Sequence, residues 1–296
     1  MRFIARTPLT LLLVSCLIFS LLDFKTPESS AVLGEQATPE HVSSGRSGSH
    51  IAEGETWTWA NGSYDLAENL TVRSGATLLI NNATLIIAAD SSGLTHLRIA
   101  PGGSLNIENS TMKANGTNTW VIESWGEVQI TNTRFSGLGG STSLNEQGAQ
   151  FVGGNLSASN LSIDGGLGTG MVIEHANATL SELTVEVNGD GLHCISSSLT
   201  TNDLTVMGGL VPIAIKDCEA IMNLTNISGH DSTGFFVEGG VSTISGMSIV
   251  GGSDGAIFID TTASLEGIQV SNSQTIGIGV ETVSYTHLTL PTTPYV

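Results

Sequence analysis

Three carboxylates recur at near-constant spacing toward the end of the chain: Glu238, Asp260 and Glu281, 22 and then 21 residues apart. Phe236 and Phe258 keep the same step beside them, and Lys216 stands one step before Glu238. Such a step stacks side chains if the chain winds in coils of that length, because neighbouring strands lie about 4.8 Å apart. Carboxylates at that distance match the pair of a retaining glycoside hydrolase, about 5–5.5 Å. Their repulsion would keep one of them protonated, as a catalytic acid requires. The same oxygens could instead share a Ca²⁺ ion, which takes several oxygen ligands. The two rings could stack on a sugar. Against these stands a plain solvated sheet face, with Lys216 merely offsetting Glu238. The expectation is a ligand-binding surface of Phe236, Phe258, Glu238, Asp260 and Glu281. Glu238, Asp260 and Lys216 are the candidates if the protein is catalytic.

Other polar residues give less. Asp190 and Asp254 precede glycines three coils apart, about 14 Å, beyond the ~6.5–9.5 Å of an inverting pair. Asp before Gly is turn chemistry. His175, His193 and His230 fall in different columns, so no metal site is expected and no cofactor beyond a possible Ca²⁺. Cys194 sits in an apolar column, whereas Cys218 lies three residues past the equivalent position. Three residues of strand add about 10 Å, so two unbridged thiols are expected. Ten Asn-x-Ser/Thr sequons occur. Asn109, Asn160 and Asn223 belong to a turn column; among the others, which include Asn226, the glycosylation candidates are Asn61, Asn69, Asn82, Asn115, Asn155 and Asn177.

The elements that would hold these residues follow from periodicity. One apolar column runs Ile173, Cys194, Ile215, Val237, Ile259, Val280. A second runs Met112, Phe135, Ile163, Val185, Val206, Ile227, Ile249, Val270, and a third Leu156, Leu180, Leu199, Ile221, Ile244, Leu265. Three residues before the second column stand Asn109, Asn132, Asn160, Glu182, Asp203, Gly246 and Gly267, with Asn223 displaced by one. Asn, Asp and Gly tolerate a left-handed backbone, so a repeated turn is predicted there, with asparagines bonding along the axis. Three short strands per coil of 21–22 residues define a β-solenoid.

The repeat grammar of Gly191-Leu-His-Cys, Gly234-Phe-Phe-Val and Gly255-Ala-Ile-Phe-Ile resembles right-handed parallel β-helix proteins of the pectate-lyase-like type. The resemblance covers about residues 55 to 281. It implies an all-β fold and either polysaccharide chemistry or a non-catalytic surface role. The Asn-Thr-Asp, Gly-His-Gly and Arg-Ile-Lys sets of pectin hydrolases are absent.

Composition narrows the partners. A net charge of −18, from 9 basic and 27 acidic residues, excludes nucleic acid, whose phosphates demand a basic surface. Residues 1–31 read as an export signal: Arg2 and Arg6, an apolar run from Leu9 to Leu22, then Ser29-Ser30-Ala31. Any membrane association is expected through that segment alone, as a retained anchor or a lipid on Cys16. Residues 32–54 read as a linker and 55–282 as the β-helix. Residues 283–292 resemble a translated transposase sequencing adapter, so 283–296 are expected to be non-native and the gene to continue past Thr282. The resulting expectation is a secreted or cell-surface β-helix that binds polysaccharide or cell-surface glycans. The alternative is a carbohydrate-active enzyme, a lyase or glycoside hydrolase, using the outer carboxylates.

Overall fold

The computed structural model describes residues 50–88, 94–116, 119–139, 148–166, 168–281 and 284–289. The export signal, the linker up to residue 49 and residues 290–296 lie outside them. The chain is an all-β, right-handed parallel β-helix of about ten turns. Strand pairing begins at His50–Ile51, inside the stretch read as linker. Each coil contributes one short strand to an eleven-stranded sheet, here sheet A, and its remaining strands to a fifteen-stranded sheet B. In the regular coils the sheet B part is one ten-residue strand, such as Asn177–Glu186 or Val241–Val250. It bends at its middle, so three flanks enclose the core.

The bend is the predicted left-handed turn. Asn82, Asn109, Asn132, Asn160, Glu182 and Asp203 all have positive φ, followed by Gly246 and Gly267. Where Asn223 was displaced by one, Leu224 takes the corner with φ 52, at a cost of about 1–2 kcal/mol. The asparagines also bond along the axis: Asn132 Nδ2 donates to Asn109 Oδ1 at 3.0 Å and Asn160 Nδ2 to Asn132 Oδ1 at 2.9 Å.

The second apolar column is the spine, paired residue on residue from Met112 to Val270. The first column is inward through Val237 and then slips. Val237 pairs with Phe258, not Ile259, and Phe258 is 1% exposed. In Ala256-Ile257-Phe258-Ile259 both faces are apolar, so alternation cannot distinguish in from out. The third column merges two real ones, Leu156–Ala178–Leu199–Ala220–Ser242–Ala263 and Ala158–Leu180–Thr201–Met222–Ile244–Leu265. Ile221 belongs to neither and is exposed.

The cysteines correct a second expectation. Cys194 and Cys218 form a disulfide, with Cα atoms 6.5 Å apart, inside the usual range. The distance argument assumed a straight strand after Ile215. The strand instead ends at Lys216, and Asp217 turns the chain with φ 53, which swings Cys218 back into the core.

Glycines close the opposite corner. A Cβ on Gly191 would stand 2.3 Å from a Val206 methyl, and one on Gly255 2.3 Å from a Val270 methyl. Glycine there lets the start of each sheet A strand press against the spine.

Two stability outcomes follow. Val237→Asp should destabilise by several kcal/mol, about 3–5, because the charge is buried and unpaired, while Thr262→Asp should cost far less; chemical denaturation compares them. Under denaturing, non-reducing conditions neither Cys194 nor Cys218 should alkylate. Losing their bridge should cost about 2–4 kcal/mol.

Candidate functional site

Side chains that leave sheet A away from the core form two parallel outward columns. Strand register gives one as Thr71, Arg98, Glu123, Gln150, Val172, His193, Ala214, Phe236, Ile257 and Gly279. The other contains Val152, Glu174, Ile195, Lys216, Glu238, Ile259 and Glu281, with Arg73, Ala100 and Trp125 preceding them. The outward columns of sheet B differ. Ser157, Thr179, Thr200, Thr243 and Ser264 make up most of one of them, interrupted by exposed Ile221, and Ser162, Thr184, Thr205 and Ser248 dominate another. Small hydroxylated side chains suit a solvated sheet surface and little else. The outward rings of Trp125 and Phe236 and the half-buried Ile195, Ile257 and Ile259 lie on the flank of sheet A, while sheet B also carries the Arg134–Asp164 pair and exposed Ile221, Val241 and Val250.

The predicted cluster survives only in part. Phe236 is outward and half-buried, as expected, but its partner is Ile257. Phe258 lies in the core, its ring centroid 5.8 Å from that of Phe235. Glu238 is followed by Ile259 and only then by Glu281, so those carboxylates are two coils apart, about 10 Å. Asp260 has left the column altogether. It turns the chain with φ 48 and its N–H donates to the Glu281 carbonyl at 3.1 Å. Lys216 does face Glu238, Nζ to Oε2 at 3.3 Å. Both groups are about half exposed, so the pair contributes no more than about 1 kcal/mol. No two carboxylates of this set are in register on adjacent coils.

Three arrangements went unseen. On the strand Leu94–Ile99, His96 and Arg98 project outward toward Glu123 of the paired strand Thr119–Ser124. Arg98 Nε donates to Glu123 Oε2 at 2.5 Å, and His96 Nδ1 stands 3.3 Å from the same oxygen. Burial alone would raise the Glu123 pKa. The hydrogen bonds and charges of His96 and Arg98 outweigh it and hold the carboxyl below its ordinary range. Alternation on each strand could have shown these residues as outward, but coils of 25 and 27 residues hid their register.

Asp190 and His193 form the second arrangement, Oδ2 to Nε2 at 3.3 Å. The Val211 N–H donates to Asp190 Oδ1 at 2.8 Å. Burial pushes the Asp190 pKa up, but His193 and that N–H together pull it below the usual value. Glu174 is the third: an outward residue only 6% exposed, with His175 Nε2 3.6 Å from its Oε1. Desolvation raises its pKa despite the attraction of His175.

Among the described residues no group of three or more His, Cys, Asp or Glu could hold a metal ion. The sequon asparagines are partly engaged. Asn69 Oδ1 accepts from the His96 N–H at 2.8 Å, Asn177 Nδ2 donates to Asn155 Oδ1 at 3.2 Å, and Asn82 Nδ2 to Asn61 Oδ1 at 3.5 Å. Asn115 is exposed at a bend.

No family model and no curated protein matches the chain. Among solved structures it is similar to the A-module of the mannuronan C-5 epimerase AlgE4 of Azotobacter vinelandii. That likeness has 14% identity and a TM-score of 0.36, and it covers 79% of this chain and 89% of that one. It is also similar to PfbA, a surface adhesin of Streptococcus pneumoniae, at 10% identity and TM-score 0.28, covering 75% and 85%. A third is the catalytic domain of a GH87 alpha-1,3-glucanase in complex with nigerose, at 11% and 0.22, covering 75% and 63%. At such identities and scores no residue role passes from them to this chain.

Glu174 supplies a check on the flank's electrostatics. A carboxyl whose folded pKa is raised loses stability as pH rises through that pKa, because the native state holds the proton longer than the unfolded chain. Glu174→Gln should therefore gain stability over the parent near pH 7 and lose that advantage near pH 4. Paired denaturation curves at the two pH values test the sign.

Proposed function

We propose that this protein is an exported, carbohydrate-related β-helix that binds an extended glycan along the outer flank of sheet A without cleaving it. The carrying observation is the chemical asymmetry of the flanks. Serine and threonine predominate in the outward columns of sheet B, broken by exposed Ile221, Val241 and Val250, whereas sheet A sets the outward rings of Trp125 and Phe236 with Ile195, Ile257 and Ile259 among charged pairs. Sugar rings offer apolar faces and hydroxyl edges, and a mixed surface of this kind meets both.

Two further observations support the parts of this reading. The Cys194–Cys218 bridge belongs to an oxidising compartment, in agreement with an N-terminal signal that begins Arg2, Arg6 and Leu9. Glu238, the best acid candidate, faces a lysine rather than a second carboxylate. A carbohydrate-active enzyme remains the second reading, favoured by the Asp190–His193 contact, in which a carboxylate would orient an imidazole base.

Binding should be read on the full chain against neutral and acidic polysaccharides, with product analysis alongside. Phe236→Ala should weaken glycan retention about five-fold, the equivalent of the ~1 kcal/mol of one stacked ring. Unchanged retention would return that part of the flank to scaffold. Release of new chain ends or double bonds that vanishes in His193→Ala would establish the enzyme instead.

A further inference from the structure

Within that flank, the coils nearest the N-terminus carry a group of side chains well away from Phe236. Arg98 and Glu123 are in register on adjacent strands. Besides its bond to Glu123, the guanidinium places Nη2 3.3 Å from His96 Nδ1. Trp125 follows two residues after Glu123, with Ser124 between them turned inward, so Trp125 leaves on the same side about 7 Å further along. Its N–H donates to the Ile99 carbonyl at 2.8 Å, which fixes the backbone beneath the ring. The indole is half-buried.

We propose that Trp125 with the Arg98–Glu123 pair forms a subsite for an uncharged sugar ring, which makes the flank selective for neutral over uronic glycans. This rests on the glycan-binding reading and names the ligand class of that surface. Three arguments carry it. The first is charge: one cation and one anion cancel, so the pair exerts no net pull on a ligand carboxylate, and the whole chain stands at −18.

The second is hydrogen-bond chemistry. A guanidinium has only donors and a carboxylate only acceptors. Arg98 is 42% exposed, and with Nε and one Nη2 proton engaged it still has further N–H groups. Adjacent hydroxyls of a neutral sugar both accept and donate, so they can satisfy Arg98 and Glu123 together. A uronate carboxylate only accepts, and against Glu123 it would set like charges side by side.

The third is preorganisation. Glu123 is 14% exposed and its partners keep it ionised, so its acceptor lone pairs are already in place beside the ring. His96 Nδ1 lies within 3.3 Å of both Glu123 Oε2 and Arg98 Nη2. Through that one nitrogen the imidazole touches both members of the pair and braces them. The groups facing it are Asn69 and Thr71 on one neighbouring strand and Val121 and Glu123 on the other.

The test is titration calorimetry at pH 7 on the full chain, with neutral gluco- and xylo-oligosaccharides and uronic oligosaccharides of equal length. Neutral oligomers should bind at least ten-fold more tightly than uronic ones. Trp125→Ala should weaken them about five-fold or more, and Trp125→Phe should restore most of the loss, which separates stacking from misfolding. Glu123→Gln removes the repelling charge and frees Arg98, so it should narrow the preference by raising uronate affinity. A purely structural role for Glu123 would leave that ratio unmoved. Equal binding of both classes, or neutral binding indifferent to Trp125→Ala, overturns the subsite. If Phe236→Ala abolishes binding while Trp125→Ala does nothing, the flank reading stands and this inference falls. If neither class binds at all, both fall.

Discussion

Backbone pairing between consecutive coils governs everything else in this molecule. Nearly every residue of a sheet strand bonds to the residue one coil away, so conformation at one level is imposed on the next. The bend of sheet B shows the force of this constraint. Glu182 and Leu224, poor residues for a left-handed backbone, adopt it with φ 53 and φ 52 because their neighbours in the stack do. Breaking register there would forfeit several inter-coil hydrogen bonds to relieve about 1–2 kcal/mol at one residue. Extra residues are tolerated only where strands stop. Pairing stops after the Trp120–Leu138 bridge and resumes at Ala149.

The same stacking separates the chemistry of the two sides. Inward columns share a fixed volume, so a large side chain at one level needs accommodation at its neighbours. Phe258 sits above Val237, with Phe235 tilted against it and Ala256 beside it. Cys194 and Cys218 use the same closeness to join neighbouring coils through the core. Outward columns face no such limit, and composition there is free to follow function. That freedom is why the outward rings on the flank of sheet A, set against the mainly hydroxylated columns of sheet B, bear on the proposed role, whereas the core does not.

How much was legible in the chain follows from where polarity alternates. The spine from Met112 to Val270 and the Asn corner could be read residue by residue, because polar and apolar positions differ sharply there. The displaced Asn223 even marked the coil whose corner is Leu224. Reading failed where both faces are apolar. In Ala256-Ile257-Phe258-Ile259 a slip of one residue exchanges core and surface, and with it the pairing of Phe236 with Phe258 and of Glu238 with Asp260 dissolves. Cys218 was misplaced for a related reason: a corner, not a strand, follows Lys216. His96, Arg98 and Glu123 escaped because their coils of 25 and 27 residues break the 21–22 step that aligned the rest.

Charge completes the link from fold to ligand. The described segments hold five basic residues, Arg73, Arg98, Lys113, Arg134 and Lys216. Three of them are committed to acids on a neighbouring or nearby coil: Arg98 to Glu123, Lys216 to Glu238 and Arg134 to Asp164. Stacking at about 4.8 Å makes such pairing easy, since a residue chosen in one coil is within reach of its neighbour in the next. The consequence is a molecule with a strong negative field overall and patches of local neutrality on the flank of sheet A. A polyanion approaching it meets repulsion at long range, and at Arg98 and Lys216 it meets cations already matched by acids. A neutral ligand meets neither penalty. On the proposed reading such a ligand exchanges water for a surface on which donors and acceptors already stand side by side, because inter-coil stacking sets Arg98 beside Glu123 and Lys216 beside Glu238.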